Sequence, residues 1–456
     1  MCADRIIGNS RTTHNNYIVQ KASFGFQYLG QHALAHALRG SATKVGETTR
    51  MTEKCVAAVN INQDYCSKCS ICHSVCPFDS IKRDTETGKV EIDLQKCQVC
   101  GICYSACPVM AIEIVYYDYD RLVKYVKDMR EKCNSDMLVL MCRGNSPSTG
   151  DVEDILRDNG IQLSNYIPLR LPCAGRVPAE FVFKVLNVGI KRVVSIQCED
   201  DFCRFKQGTR INTRRLLLGQ KVLEQLGLEK DAFTVIKYAR KAVYDTSKCV
   251  GCDKCIFICP YKAIEAEPVA TPRILEEKCM GCGACALVCP HKAIEVRGFE
   301  FDKVLKLYTD AARKLKVQGI SPLILVFACQ WSEFPALDEP GNPLLRKKAV
   351  VMEIPCFKAL DPVHVLNALQ NGFDGVMATV CPPEDCRLEE GKETAERNVA
   401  VLKDVLKKSG LLERFQLFTV HPRCLGEFND RFDEFYRRIA AMPPVRGEQA
   451  EAVARV

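Results

Sequence analysis

The chain has 456 residues, 47% of them hydrophobic and 26% charged, with a formal charge of +7 and 28 cysteines. Such a composition excludes a wholly disordered or fibrous chain, and the length excludes a single small core, since domains run to about 100 to 200 residues. The cysteines are too many to serve as core thiols, and because cytosolic disulfides are rare they point to metal.

The longest apolar runs, such as Leu323 to Cys329 and Val376 to Ala378, fall short of the roughly eighteen residues of a membrane span. The N-terminus lacks the basic start and apolar stretch of a secretory signal, so a cytoplasmic protein with no membrane span is expected. No Lys/Arg stripe with interleaved aromatics accompanies the positive balance, and no nucleic-acid role is inferred.

In chain order, residues 1–60 contain a helix-compatible stretch, FGFQYLGQHALAHALRG, whose apolar face is expected to dock on a domain or partner. Residues 61–118 carry CSKCSICHSVCP and CQVCGICYSACP, with Cys66, Cys69, Cys72, Cys76, Cys97, Cys100, Cys103 and Cys107. Residues 133–243 then alternate strand and helix patterns. MLVLMC, NYIPLRLPC and RVVSIQC are apolar or β-branched runs that each end on a cysteine, namely Cys142, Cys173 and Cys198. AEFVFKVLNVG and NTRRLLLGQKVLEQLG read as helices, the second closing at a glycine suited to a C-cap.

The plan then repeats. Residues 244–299 carry CVGCDKCIFICP and CMGCGACALVCP, with Cys249, Cys252, Cys255, Cys259, Cys279, Cys282, Cys285 and Cys289 at offsets of 183 and 182 from their counterparts. Residues 318–440 repeat the alternation with PLILVFAC, VVMEIPC, GVMATVC, HVLNALQNG and ERNVAVLKDVLKKSG, and 441–456 form a tail. Cys142, Cys173, Cys198 and Cys203 of the first copy correspond to Cys329, Cys356, Cys381 and Cys386 of the second. Twenty-four of the 28 cysteines thus belong to two copies of one twelve-cysteine unit, leaving Cys2, Cys55, Cys133 and Cys424 as incidental or buried thiols. The expected fold class is α/β plus α+β, with two small cysteine-dense domains alternating with two open parallel-sheet α/β domains. Their cysteine-tipped strands end at the carboxyl edge, where such sheets bind ligands.

C-x2-C-x2-C-x3-C-P occurs four times, an iron-sulfur pattern in which three thiolates of one loop hold one cluster and the cysteine before proline reaches the neighbouring cluster. Proline biases that cysteine toward extended backbone and ends the loop. The runs continue as PFDSI, PVMAI, PYKAI and PHKAI, and Ile81, Ile112, Ile264 and Ile294 are expected to shield the clusters from water. His73 and His291 lie inside or beside these loops and are read as exposed polar residues. Structural zinc is the alternative, but zinc modules favour separated C-x2-C pairs.

Asp64 to Tyr117 and Asp245 to Arg297 resemble bacterial two-cluster ferredoxins. The resemblance implies four [4Fe-4S] clusters: Cys66, Cys69, Cys72 with Cys107; Cys97, Cys100, Cys103 with Cys76; Cys249, Cys252, Cys255 with Cys289; and Cys279, Cys282, Cys285 with Cys259. Leu171-Pro172-Cys173-Ala174-Gly175-Arg176-Val177, the strings CEDDFCRFKQG and CPPEDCRLEEG, and FACQW at Phe327 to Trp331 resemble the delta subunit of methyl-viologen-reducing hydrogenase. That family is a [2Fe-2S] link between hydrogenase and heterodisulfide reductase, and it implies one [2Fe-2S] cluster on each set of four dispersed cysteines. The chain departs from it at Asn145 and Ser332, where the family has a second cysteine, and at CFKAL, Cys356 to Leu360, in place of Cys-x-Gly-Arg-Val. Because Ala174 to Val177 and Phe357 to Leu360 differ at a sheet edge, the two halves are expected to present different contact surfaces to different partners.

The chain also resembles the electron-transfer portion of heterodisulfide reductase A-type proteins without its flavin portion. It has no G-x-G-x-x-G after a strand, no G-x-x-x-x-G-K-[ST], and no paired adjacent cysteines of the disulfide-reducing kind, so no flavin, nucleotide or complete catalytic site is read in it. The resulting expectation is an electron-transfer subunit that relays single electrons between flavoprotein and catalytic oxidoreductase subunits of heterodisulfide-reductase, hydrogenase or formate-dehydrogenase type. Flavin-based bifurcation is one form of such a complex. The alternatives are a redox enzyme subunit that reduces a small substrate directly at a four-cysteine domain, and a metal-stabilised scaffold.

Overall fold

The computed structural model describes residues 56–114, 118–144, 151–162, 165–228, 232–267, 270–329, 349–382, 386, 388, 391–420, 424–425 and 427–445. The stretch expected to dock near the N-terminus, together with Cys2, Cys55, Asn145, Trp331 and Ser332, lies outside these residues.

Each cysteine-dense segment consists of two antiparallel ribbons around two five-residue helices. In the first, Val59–Ile61 pairs with Ile112–Ile114 and Ile81–Arg83 with Val90–Ile92. In the second, Ala242–Tyr244 pairs with Ile294–Val296 and Ile264–Glu267 with Ala270–Ile274. The helices Ile71–Val75, Ile102–Ala106, Lys254–Ile258 and Ala284–Val288 each end against the cysteine that precedes proline, which is extended. Strand Val59–Ile61 crosses the expected boundary at residue 61, so this unit starts earlier; three residues of apolar, polar, apolar character are too few to signal a strand.

Each larger domain is an open four-stranded parallel sheet. The first is ordered Tyr166–Leu171, Met137–Cys142, Arg192–Cys198, Phe233–Tyr238, and the second Val350–Ile354, Ile324–Cys329, Gly375–Val380, Phe415–Thr419. Every residue of Met137–Cys142 and of Ile324–Cys329 is buried, as expected of parallel strands covered on both faces. The first strand in sequence lies between the second and the third. Its carboxyl end beside the third is therefore the switch point at which such sheets bind ligands.

Helices Tyr119–Cys133 and Phe301–Val317, between the expected domains, belong to these cores: Leu122 and Val126 pack with Leu140 and Phe181, and Val304, Tyr308 and Leu315 with Phe327 and Phe373. Asp118 caps the first of them by accepting from the Arg121 N–H at 3.0 Å. Among the described residues no helix is long and apolar enough to cross a membrane.

The two halves touch at several places. Val56–Ala57 pairs antiparallel with Cys424–Leu425, and Lys303 forms an ion pair with Asp151. Glu353, on the edge strand of the second sheet, takes Arg143 Nε at 3.3 Å and Arg170 Nη2 at 2.6 Å. Arg170 lies on the edge strand of the first sheet, 183 residues before Glu353, at the equivalent repeat position. Opposite charges at one repeat position let the two unlike halves attract, whereas a like-with-like pairing would oppose equal charges at short range.

Candidate metal centres

In all four C-x2-C-x2-C loops both residues flanking the second cysteine have positive φ: Lys68 and Ser70, Val99 and Gly101, Gly251 and Asp253, Gly281 and Gly283. The third residue after each closing cysteine, Asp79, Met110, Lys262 or Lys292, has positive φ as well. Left-handed residues at these intervals curl the backbone so that its N–H groups turn inward, making a concave nest for an anionic group.

Three cavities show which thiols converge. One is lined by Cys66, Cys69, Cys72 and Cys107, one by Cys76, Cys97, Cys100 and Cys103, and one by Cys249, Cys252, Cys255 and Cys289. Each joins three cysteines of one loop to the closing cysteine of the other, the crossed arrangement implied by the ferredoxin resemblance. Around Cys285 the neighbouring thiols include Cys282, Cys279 and Cys259, which completes the fourth crossed set. Among the described residues no three donor side chains are set on a single ion. The thiols line a volume instead, a donor set suited to a multi-iron cluster in which each iron takes its own thiolate.

Backbone N–H groups donate to the closing sulfurs: Ala111 to Cys107 at 3.3 Å, Ala263 to Cys259 at 3.4 Å and Ala293 to Cys289 at 3.2 Å. In the remaining loop the Ser80 hydroxyl lies 3.1 Å from Cys76 Sγ. Ile81, Ile112, Ile264 and Ile294 are all buried, as expected of apolar cover. Burial pushes the Cys100 thiol up to about 12 and raises Cys103 and Cys285 strongly. Thiols of this kind ionise when a metal takes the place of their protons. Cys69 and Cys252 are exposed, so each ferredoxin-like segment has an outer thiol set near solvent and an inner set (Cys76, Cys97, Cys100, Cys103 or Cys259, Cys279, Cys282, Cys285) toward the protein. His73 and His291 are exposed; His73 Nδ1 lies 2.6 Å from the Ile81 carbonyl oxygen.

The dispersed cysteines meet at the switch points. Cys142 and Cys198 close adjacent parallel strands, and their sulfurs stand 3.5 Å apart. A hydrogen bond from Cys198, aided by the N–H groups of Thr209, Phe205 and Gly208, holds Cys203 down at about 6. Cys173, two residues beyond its strand, completes the set: a Cβ on Gly208 would lie 2.2 Å from Cys173 Sγ and 3.9 Å from Cys203 Sγ. A Cβ on Gly175 would in turn lie 2.8 Å from the Gly208 backbone. The glycines of the Cys-x-Gly-Arg-Val and C-x4-C-x4-G strings are therefore where two backbones cross beneath the thiols.

In the second domain Cys329, Cys381 and Cys386 cluster in the same way, and Cys356 is hydrogen-bonded to Cys329. Cys386 is held down at about 7, chiefly by Cys381. The departures at Lys358 and Ala359 thus leave the four thiols together.

In each half the inner set abuts the four-cysteine set. Cys100 packs with Cys173, Ile102 and Phe205, and Cys282 packs with Cys356, Ala284 and Leu388. Arg215 pins the first junction, donating from Nη1 to the Gly175 carbonyl at 2.9 Å, to the Val177 carbonyl at 2.8 Å and to Ser105 Oγ at 2.9 Å. Lys206 donates to the Pro77 carbonyl at 2.9 Å, and Phe78 meets Phe205 edge-on at 6.0 Å. Ala174 to Val177, Phe357, Lys358 and Leu360 are buried here. This corrects the expectation that they form docking surfaces: the sheet edge is covered by the ferredoxin-like segment of the same half, and the sequence signals no such packing. Arg215, Ser105 and Gly208 were missed for the same reason, although Gly208 ends the C-x4-C-x4-G string.

The first α/β domain also reaches the second ferredoxin-like segment. A Cβ on Gly281 would lie 2.5 Å from the Arg240 carbonyl oxygen, and within the segment itself the Ala242 N–H donates to Cys279 Sγ at 3.4 Å. The inner set of the second segment therefore lies beside the covalent joint between the halves.

Comparison with known proteins agrees with this layout. The family described as methyl-viologen-reducing hydrogenase, delta subunit, matches residues 137–250 and 324–443, and 4Fe-4S dicluster domains match 58–108 and 233–298. The A-type protein of the ferredoxin/F(420)H(2)-dependent CoB-CoM heterodisulfide reductase of Methanosarcina acetivorans is 32% identical over 207 residues, which are 45% of this chain and 26% of that protein. The D-type iron-sulfur protein of the F420-non-reducing hydrogenase of Archaeoglobus profundus is 29% identical over 135 residues, covering 28% of this chain and 96% of that protein. Matches to the heterodisulfide reductase proteins span about a quarter of their length.

Proposed function

Because the chain belongs to the family of the methyl-viologen-reducing hydrogenase delta subunit and carries two 4Fe-4S dicluster domains, we propose that it is the multi-cluster electron relay of a cytoplasmic heterodisulfide-reductase-type complex. Four [4Fe-4S] clusters occupy the crossed cysteine sets, and two [2Fe-2S] clusters occupy the four-cysteine sets of the α/β domains. The partners are flavoprotein and catalytic oxidoreductase subunits.

The observation that carries this reading is the junction repeated in both halves, where a ligand of the inner cubane packs against a ligand of the four-cysteine centre, Cys100 on Cys173 and Cys282 on Cys356. Bound clusters accept and release one electron each. The chain's part is to hold them close and dry. The thiolates bind, the N–H groups of Ala111, Ala263 and Ala293 stabilise sulfur charge, and the buried isoleucines exclude water. The outer centres meet the surface at Cys69, beside exposed Val109, and at Cys252, beside exposed Val250. These are the ports for partners. The burial of Cys142, Cys173, Cys198, Cys329, Cys356 and Cys381 supports relay over direct reduction of a small substrate at the α/β domains.

Iron analysis under anoxic conditions tests the assignment. Four cubanes and two [2Fe-2S] clusters require about 20 iron per chain. A content near 16 would remove the four-cysteine clusters, and iron near zero with stoichiometric zinc would remove the relay altogether.

A further inference from the structure

In each half a buried cation follows a ligand of the four-cysteine set into the junction with the inner thiol set, and it does so from a different repeat position. In the first half it is Arg176, 1% exposed and three residues beyond Cys173. Its side chain runs over the loop of the inner set: a Cβ on Gly101 would lie 2.5 Å from Arg176 Cγ and 2.9 Å from its Nε. Gly101 directly follows Cys100. In the second half the repeat counterpart of Arg176 is Ala359, whose Cβ would lie 2.3 Å from a Cβ on Gly283, the counterpart of Gly101. The cation there has moved one residue back, to Lys358, 1% exposed, at the position where the first half has Gly175.

The electrostatics agree with this placement. The Arg176 charge lies within electrostatic reach of Cys100 and the Lys358 charge within reach of Cys282. Lys358 also lies within reach of Cys386, so it stands near thiols of both sets. The duplicated units have thus diverged in sequence here while each keeps a buried cation within three residues after Cys173 or Cys356.

We propose that Arg176 and Lys358 are positioning residues that set the reduction potentials of the inner and four-cysteine centres in their own halves. The inference rests on the cluster assignment above. Each transfer moves one electron from one cluster to the next with no bond made or broken. A cluster with four thiolates is anionic, and gaining an electron adds to that charge. A fixed cation at close range in a water-poor interior favours the reduced form, so both neighbours are held at higher potential than they would have without it. The outer centres, on the far side of each ferredoxin-like segment, lie farther from the cations and feel them less.

EPR-monitored redox titration of the full chain, with iron counted in every sample, tests the inference. Arg176→Gln is expected to lower the midpoints of the Cys97 and Cys142 centres and to shift the outer Cys66 centre less; Lys358→Met is expected to do the same to the Cys279 and Cys329 centres relative to the outer Cys249 centre. Arg176→Lys and Lys358→Arg should keep the wild-type midpoints. Full iron with unshifted midpoints in the neutral variants overturns this inference alone, whereas wild-type protein without iron overturns the cluster assignment beneath it. If the neutral variants lose iron while the charge-preserving ones keep it, the requirement for charge stands. If all four variants lose iron alike, the side chains act by packing and the inference fails.

Discussion

Gly208→Ala removes no thiol, yet it should empty one centre. The new methyl group would stand 2.2 Å from Cys173 Sγ, against 3.4–4 Å for an ordinary contact, so a separation of more than 1 Å must open at the ligand. Metal-ligand bonds tolerate about 0.2 Å. Overpacking of this kind costs about 1–3 kcal/mol when neighbours can yield. Here the other neighbours are fixed, because the Gly208 backbone already lies 2.8 Å from where a Gly175 Cβ would be. The helix itself is not the weak point: Gly208 opens Gly208–Gln225 and has no positive φ, so alanine there should favour the helix by up to about 1 kcal/mol. The expected result is a folded chain by far-ultraviolet circular dichroism that has lost about 2 of about 20 irons and the visible spectrum of the first four-cysteine centre, with all cubane EPR signals retained. A variant with full iron and the wild-type visible spectrum would refute the claim that Cys173 and Cys203 hold one cluster above Gly208.

Three further outcomes are expected. Cys107→Ala should disturb the EPR signal of the Cys66 centre more than that of the Cys97 centre, since Cys107 lines the cavity of Cys66, Cys69 and Cys72; the opposite order would rule out crossed ligation. Glu353→Gln leaves Arg143 and Arg170, with side chains 4% and 9% exposed, facing a neutral amide, at a cost of about 3 kcal/mol. Hydrogen exchange at the pairing of Val56–Ala57 with Cys424–Leu425 should rise, and Arg170→Glu combined with Glu353→Arg should restore protection. His364 is buried, and burial with the nearby Lys292 charge lowers it to about 4 from 6.5. The unfolded chain therefore takes up a proton first, and the associated stability, full above pH 6.5, is lost as pH falls toward 4, by about 3 kcal/mol in total. Denaturant melts of wild type and His364→Phe between pH 7.5 and pH 5 should diverge; parallel curves would show that His364 titrates normally in the folded chain.

The candidate ligands were legible in the sequence because each pattern has a local cause. C-x2-C-x2-C-x3-C-P encodes a loop whose thiols must point inward, and the crossed partners Cys107 and Cys76 followed from its resemblance to two-cluster ferredoxins. MLVLMC and GVMATVC announced buried parallel strands because every residue is apolar or small. What packs against what was not legible. Helix Phe301–Val317 and strand Val59–Ile61 fell outside the expected domains because a short or mixed pattern does not say which core it joins. The same limit turned Ala174 to Val177 into an expected docking surface, when Arg215 and Ser105 close over that edge from elements 40 and 70 residues away from Gly175.

The repeat shows why comparison within one chain can reach what a single motif cannot. At two positions the copies differ, and in both cases the structure makes the two changes complementary. Arg170 and Glu353 share a repeat position and meet across the contact between the halves. Gly175-Arg176 and Lys358-Ala359 exchange the order of small residue and cation while leaving a buried cation beside each junction. Sequence alone presents the second as loss of the motif and does not signal the first. In space the first gives the two halves unlike, mutually attracting faces. The second keeps each inner set electrostatically matched to its four-cysteine neighbour. The two relations together tie the halves into one unit: the ion pair joins their sheet edges, and the cations follow equivalent ligands in each half.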